Sequence, residues 1–338
     1  MKNTLIRISI LSLFLFTSAT HAAVIKIATL SPDGTAWMKK MRQAAKEISK
    51  KTDKRVKIKF YPGGVMGDEN AILRKMRINQ LQGAAITSGA LTRYYKDTSL
   101  YGMPFLFSSP EEVLYVRKHM DKLIVEGLKK EGLISFGLAG SGFVYLLSNK
   151  PVLSIHDLKK EKFWIPDNAS ARNTVKAFAL KPIPLPFGDV LAGLQTHLIN
   201  TIASSPIAAI ALQWHTQVKY LTDMPALYSW ATLVISNKAM KKLKEKDSSI
   251  VRSVMEQAFR EIDIENQADN KAALAALKTQ GISFVKPTKE QHSEWKNIAH
   301  KGNQELIKNG YNSKEMFNLA KKHIANFQKQ NKLSKLEQ

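Results

Sequence analysis

The 338-residue chain contains no cysteine. This absence excludes disulfide scaffolds, cysteine-ligated zinc or iron sites, thiol nucleophiles and a lipid-modified amino-terminal cysteine. Acidic residues are also scarce, with 28 Asp and Glu against 51 Lys and Arg, which gives a formal net charge of +23. Such an excess alone would suggest nucleic acid or an anionic membrane surface as a partner. The length and the 44% hydrophobic content favour one large or two medium globular domains.

The first residues predict export. Lys2 and Arg7 precede an apolar run over 8–16, which is much shorter than the ~20 residues that span a bilayer, and small residues follow up to Ala22. This pattern is typical of a cleavable signal peptide over residues 1–22. We therefore expect a periplasmic protein without a lipid anchor. Because an exported protein meets little nucleic acid, we interpret the dispersed lysines as a solvated coat and expect no nucleic-acid partner.

Short apolar strands alternate with amphipathic helices along the mature chain, which is typical of parallel βαβ units. Trp37, Met41, Ala44 and Ile48 recur at helical spacing after the first strand, 24–30. Further strands are expected over 55–60, 134–138, 143–149, 162–165, 182–185 and 232–236, and helices over 238–280, 288–308 and 313–330. The predicted fold class is α/β, with parallel-rich mixed sheets flanked by helices.

Catalytic and cofactor motifs are missing. The glycines over 137–142 are spaced G-x-x-G-x-G and precede strand-like residues, so no helix amino terminus would hold a pyrophosphate; a tight connection between strands is the better interpretation. The eight His residues include no pair at metal-binding spacing. No nucleophile, base and orienting group can be assembled. We expect neither an enzyme nor a bound metal or cofactor.

The positions of the tryptophans say more about a binding site than the catalytic and cofactor motifs do. Trp164 lies on a strand that ends at Pro166, and in open α/β sheets the carboxyl ends of strands border the ligand crevice. A strand covered on both faces also needs apolar residues on both, so ordinary core packing is an equal alternative for Trp164. The same ambiguity holds for Trp37, Trp214 and Trp230.

Four segments in order carry a resemblance to a known family. They are Tyr61-Pro62-Gly63-Gly64-Val65-Met66-Gly67-Asp68-Glu69, Met103-Pro104-Phe105-Leu106-Phe107, the stretch from Asp157 to Pro166, and the stretch from Pro184 to Thr196. Together they resemble the DctP-type periplasmic substrate-binding proteins of tripartite ATP-independent (TRAP) transporters, over nearly the whole mature chain.

The resemblance implies a two-lobed periplasmic binding protein that closes on a small ligand and delivers it to the TRAP permease subunits. It implies lobe I over 23–148 with 236–280, lobe II over 149–235, and C-terminal helices over 281–338 that pack across both lobes. Hinge strands are expected near Asn149 and Ser236.

Two departures from the family pattern bear on the ligand. The arginine of the family's K-I-R-V-P segment, which pairs with a carboxylate, aligns with Trp164, and the polar groups of its V-D-G-x-E-N region become small or apolar over 199–206. Because a buried carboxylate without a cation is costly, we expect a neutral or largely apolar ligand. The candidate binding residues are Trp37, Met66, Phe105, Phe143, Trp164, Asn168, Ser204, Pro206, Trp214 and Trp230.

Two alternatives stay open for the ligand. Another cation, such as Arg172 on the next helix, could replace the missing arginine, which would keep the chain an organic-acid receptor. A periplasmic carrier of hydrophobic molecules or lipids, working with a helical-repeat lipoprotein, would also fit an apolar cleft.

Overall fold

A computed structural model describes residues 22–334. Its strands are β1 Ala23–Thr29, β2 Val56–Tyr61, β3 Gly83–Thr87, β4 Leu133–Ser135, β5 Ala139–Ser148, β6 Trp164–Pro166, β7 Ile183–Leu185, β8 Thr201–Ser204, β9 Tyr220–Thr222, β10 Leu227–Ser236 and β11 Ser283–Val285. Its α-helices are α1 Ala36–Lys51, α2 Glu69–Arg77, α3 Ser88–Leu91, α4 Pro110–Lys130, α5 Ile155–Leu158, α6 Ala169–Ala177, α7 Val190–Gln195, α8 Pro206–Ala211, α9 Asn237–Met240, α10 Glu245–Thr279, α11 Lys289–Lys308 and α12 Lys314–Ser334. The predicted signal peptide lies outside the described residues, except for Ala22.

One mixed sheet forms the centre of the fold, with strand order β11-β9-β5-β10-β3-β1-β2, while β4 pairs with β10 and β8 pairs with β5. β1 runs parallel to both β2 and β3, as the alternating pattern predicts. The two long strands β5 and β10 connect the halves of this sheet: β10 pairs with β5 at one end and with β3 at the other. β6 and β7 form a separate parallel pair. The α/β expectation is confirmed.

The glycine-rich connection is shorter than the sequence predicts. Gly140 and Gly142 lie inside β5, and only Gly137, with φ of 140°, remains in the turn before it. A bulge in the pairing with β10 falls between Ser229 and Trp230 and accommodates Ser141, the residue between the two glycines. Glycine tolerates the backbone geometry that such a bulge needs, so the cluster shapes a strand rather than a turn alone.

Local capping fixes the ends of helices that flank the sheet. The Thr35 side chain accepts a hydrogen bond from the backbone N–H of Met38 at the start of α1, and Met41 and Ile48 on that helix are buried. A capping box formed by Thr288 and Gln291 starts α11. Each cap satisfies backbone donors that would otherwise lack a partner, which explains why these helices begin where they do.

The 35-residue helix α10 extends along both halves of the sheet. Phe259 packs in one buried cluster with Met41 of α1, whereas Leu277 packs in another with Trp214. Trp295 of α11 belongs to a third cluster with Val152, and α12 packs on α4. Within residues 22–334, no helix is both long and apolar enough to cross a membrane.

Candidate functional site

A narrow crevice lies beyond the carboxyl ends of β1, β6 and β7. Its volume is about 20 Å³, and its lining residues are Leu30, Asp68, Glu69, Asn70, Pro166, Asp167, Asn168, Pro186 and Phe187. This location is where open α/β sheets place their ligands. The volume suits about one water molecule, so the structure shows the two walls of the crevice close together.

A hydrogen bond joins the walls directly. The Asn70 side chain on α2 donates from Nδ2 to the backbone carbonyl of Asp167, which follows β6, at 2.9 Å. Nearby, Gly89 of α3 faces Asn168, and a Cβ atom on Gly89 would stand only 3.1 Å from the amide nitrogen of Asn168. Glycine at position 89 therefore permits the close approach of α3 to the start of α6.

The carboxylates of the crevice are already bound by protein groups. Asp68 accepts from the backbone N–H of Ala71 at 2.7 Å and caps α2. Glu69 accepts from the backbone N–H of Thr87 at 2.7 Å and from its hydroxyl at 2.8 Å. Burial raises the pKa of the Glu69 carboxyl, and the two bonds from Thr87 oppose that rise. Across residues 22–334, no three His, Asp or Glu side chains are grouped so that they could hold a metal ion.

Trp164 is almost fully buried, with 1% of its surface exposed. Its indole N–H donates to the backbone carbonyl of Leu185 on the neighbouring strand β7 at 3.0 Å. The ring meets Phe187 and Trp214 edge-on, with centroid distances of 5.3 and 5.1 Å. We call Trp164, Phe187 and Trp214 the aromatic triad. Only Phe187 of this triad reaches the crevice lining.

Trp164 thus supplies no donor to the crevice. An arginine at this position would bring five N–H donors and a fixed positive charge, whereas the single N–H of the indole is used by Leu185. Among the described residues, no Lys or Arg lines the crevice.

Two arginines that could supply a positive charge both form ion pairs with carboxylates of the protein. Arg172, the candidate replacement, is exposed and forms an ion pair with Asp167. The deeply buried cation is Arg117, which donates to Asp121 at 2.9 Å, to Asp263 at 2.8 Å and to the hydroxyl of Tyr228 at 3.1 Å. Its charge is balanced within α4 and α10, so Arg117 supports the fold rather than the crevice.

The structure distributes the other predicted binding residues among several cores. Asn168 alone of the ten lines the crevice, where its side chain caps α6 by accepting from the N–H of Ala171. One buried cluster contains Phe143 and Trp230, with partly buried Met66 packed against it. A second cluster is covered by Trp37, and a third contains Trp164 and Trp214. Phe105 packs near Trp295 in a fourth. Ser204 donates to the carbonyl of Ser205, and Pro206 is buried at the start of α8.

Sequence reasoning selected none of the other eight residues that line the crevice: Leu30, Asp68, Glu69, Asn70, Pro166, Asp167, Pro186 and Phe187. The signal for most of them was present. Asn70 directly follows the first segment of the family resemblance, and Pro186 and Phe187 lie within the fourth. These residues could have been recognised as lining residues by their positions at the ends of strands and helices, but not by their hydrophobicity.

The strand ends, the two facing walls and the crevice between them define an α/β binding protein of the kind that holds a small solute. The profile of the bacterial extracellular solute-binding proteins of family 7, DctP, matches residues 27–309, and the chain belongs to that family. It is a periplasmic solute-binding protein of the TRAP type, from a family that serves transport. Such proteins deliver a small molecule to the TRAP permease subunits.

Curated relatives are identical to the chain at about a fifth of the aligned positions. The sialic acid-binding periplasmic protein SiaP of Vibrio cholerae is 21% identical over 296 residues, which cover 86% of this chain and 91% of SiaP. The C4-dicarboxylate-binding periplasmic protein DctP of Shewanella loihica is 20% identical over 244 residues, which cover 71% of this chain and 72% of that protein.

Solved structures share the fold. DctP7, a Bordetella pertussis solute receptor that binds pyroglutamic acid, superposes with a TM-score of 0.81 at 19% identity, covering 90% of this chain and 100% of DctP7. A TRAP solute-binding protein of Xanthobacter autotrophicus with bound β-D-galacturonate gives a TM-score of 0.80 at 16% identity, covering 89% and 99%. At these identities the likeness shows the fold alone.

Proposed function

We propose that this receptor captures a small neutral or largely apolar solute rather than an organic acid and releases it to a TRAP permease. The observation that carries the proposal is the state of Trp164, whose single donor is bound to Leu185, at the position where the family resemblance places an arginine. The relatives named for sialic acid and C4-dicarboxylates bind anions. No Lys or Arg among residues 22–334 lines the crevice.

The chemistry of the crevice wall supports the same ligand class. Four apolar residues line it, Leu30, Pro166, Pro186 and Phe187, together with the amides of Asn70 and Asn168. The charged residues of the lining, Asp68, Glu69 and Asp167, are all acidic. Desolvating a carboxylate against this wall would cost several kcal/mol without a compensating charge. A neutral molecule with one or two hydrogen-bonding groups would incur no such cost.

Binding requires the crevice to widen, because its present volume is about 20 Å³. We propose that the walls part by rotation of lobe II, 149–235, against lobe I, 23–148 with 236–280, while residues 281–338 pack across both. β5 and β10 connect the halves of the sheet, and the expected hinges near Asn149 and Ser236 lie at the carboxyl ends of these two strands. The Asn70 to Asp167 bond would break in this movement.

The carrier alternative, with a helical-repeat lipoprotein as partner, gains no specific support from the described residues. The crevice lining supplies no continuous apolar surface for an acyl chain, since five of its nine residues are polar or charged. The organic-acid alternative requires Arg172 to leave Asp167 and turn inward, and it is decided by the experiment that follows.

Calorimetric titration of the mature protein with succinate and with N-acetylneuraminate tests the proposal. We expect no saturable heat from either acid in the wild type. Tight binding of either acid would contradict the proposal, and its loss in Arg172→Gln would identify Arg172 as the substitute clamp. The exposed, ion-paired Arg42→Gln is the matched control for removal of one surface charge.

A further inference from the structure

A second cavity, separate from the crevice, has a volume of about 230 Å³. Three parts of the chain that are distant in sequence enclose it: the segment after α3, the outer face of α6, and the turn between α11 and α12. Its lining residues are Thr92, Arg93, Lys96, Ser99, Gly102, Met103, Ala169, Ser170, Asn173, Thr174, Leu306, Gly310, Tyr311 and Asn312. None of these residues lines the crevice.

The charges in this cavity are of one sign. Arg93 and Lys96 line it, and no carboxylate does. Neither cation takes part in an ion pair or side-chain hydrogen bond within the described part of the chain, although the structure contains ion pairs for several other cations. The nearby Asp97 accepts from the backbone N–H and the hydroxyl of Ser313 at 2.7 and 2.8 Å, and its carboxylate does not line the cavity.

The opposite wall offers neutral polar groups. Ser170, Asn173 and Thr174 stand at i, i+3 and i+4 on α6 and therefore share one helix face. None of the three makes a side-chain hydrogen bond to another described residue, in contrast to Asn168 at the start of the same helix. The cavity thus sets two solvent-exposed cations near neutral hydroxyl and amide groups, a combination that suits a polar anion.

Hydrogen bonds of Asn312 hold one side of the cavity in place. Buried Asn312 donates to the hydroxyl of Ser99 at 2.9 Å and to the carbonyl of Lys96 at 3.3 Å. These bonds tie the turn before α12 to the segment that carries both cations. The site is therefore held in shape by contacts that do not involve the cations themselves.

We propose that this cavity binds a small phosphorylated solute, with the phosphate between Arg93 and Lys96 and the hydroxyl groups of the solute against α6. Two neighbouring cations match the charge of a phosphate monoester, which is close to −2 at neutral pH, better than that of a single carboxylate. The volume exceeds that of inorganic phosphate and accommodates an attached polar group of sugar size.

Titration calorimetry at low ionic strength provides the test, with inorganic phosphate, D-glucose 6-phosphate and D-glucose as probes. We expect saturable binding of D-glucose 6-phosphate, weaker binding of inorganic phosphate and none of D-glucose. The double variant R93Q/K96Q should weaken phosphate binding by at least about tenfold, because it removes two charge-assisted contacts. N173A should weaken D-glucose 6-phosphate more than inorganic phosphate, since Asn173 faces the sugar.

The control double variant R260Q/K241Q removes the same charge from exposed positions outside the cavity. It should leave both affinities within about twofold, because exposed distant charges are screened. Equal losses in the two double variants would show that net charge alone attracts the anion and would overturn the site. No binding of either phosphate up to about 10 mM, an affinity too weak for a formed site, would also overturn it, as would binding that R93Q/K96Q leaves unchanged.

Discussion

Asn70 and Asp167 are joined across the crevice by a hydrogen bond of 2.9 Å from the Asn70 side chain to the Asp167 backbone. Asn70 belongs to the wall formed by α2, and Asp167 follows β6 in the facing wall. The bond therefore stabilises the arrangement in which the walls are close. Its acceptor is a main-chain carbonyl, so a substitution at residue 70 tests it without changing Asp167.

Asn70→Ala should shift the ligand-free protein toward a wider arrangement. A net intramolecular hydrogen bond contributes about 0.5–1.5 kcal/mol, which changes a two-state population by up to about tenfold. Small-angle scattering should then show a larger radius of gyration than in the wild type. Gln80→Ala, at an exposed position just beyond α2, is the control, and an equal increase in both variants would contradict the role given to Asn70.

Trp164→Phe tests the buried indole. The substitution keeps an aromatic ring against Phe187 and Trp214 but removes the donor to Leu185, whose carbonyl loses that partner. We expect a loss of about 1–3 kcal/mol in the free energy of unfolding, measured by urea denaturation. Trp230→Phe is the control, because Trp230 is equally buried, at 0% exposed, and its indole N–H has no hydrogen-bond partner within the described residues. Equal losses in the two variants would show that ring size, not the bond, determines the cost.

Removal of the buried cation Arg117 should be severely destabilising. Arg117→Ala leaves Asp121 and Asp263 without their shared partner, and breaking a buried ion pair on one side costs about 3–5 kcal/mol. Replacing the exposed partner of Asp33, in Arg42→Ala, should change stability little. A comparable drop in the melting temperature of both variants would contradict the structural role of the Arg117 network.

The docking of α12 should weaken in mild acid. The rings of His119 on α4 and His323 on α12 stack with centroids 4.5 Å apart, and burial, followed by the charges of His119 and Lys322, lowers the pKa of His323. The unfolded chain therefore binds a proton more readily than the folded chain. Stability is retained while His323 is neutral and decreases as the pH falls below about 6.5, the ordinary value for histidine.

Thermal unfolding of the wild type between about pH 7.5 and 5 measures this dependence. His323→Phe keeps a ring against His119 and removes the titrating group, so its melting temperature should fall less on acidification. His156→Phe, at an exposed position on α5, should keep the full wild-type dependence. Parallel pH profiles for the wild type and His323→Phe would contradict the assignment.

Much of the fold follows from patterns that the sequence displays. The expected helices over 288–308 and 313–330 correspond to α11 and α12, because their spacing and capping residues are strong local signals. β8, β9 and β11 were not predicted. They form because β5 pairs with β8 and β9, and β9 in turn pairs with β11. These pairings join residues distant in sequence, which no local pattern shows.

The site was predictable in position but not in detail. The carboxyl end of the Trp164 strand does border the crevice, through Pro166, as its place in the chain suggests. The orientation of the Trp164 ring depends on Leu185 and Trp214, which are distant in sequence, so local pattern could not separate a lining residue from a buried one. The assignment of Trp164 as a residue that contacts the ligand stays a prediction.

Native mass spectrometry of the protein purified from the periplasm, followed by solvent extraction of the bound molecule, tests the central claim most directly. The account predicts a one-to-one complex whose extracted molecule is neutral and lacks a carboxylate, and its affinity should fall in Phe187→Asp, which places a charge in the crevice wall. An extracted uronate, sialic acid or dicarboxylate whose binding depends on the crevice residues would contradict the account.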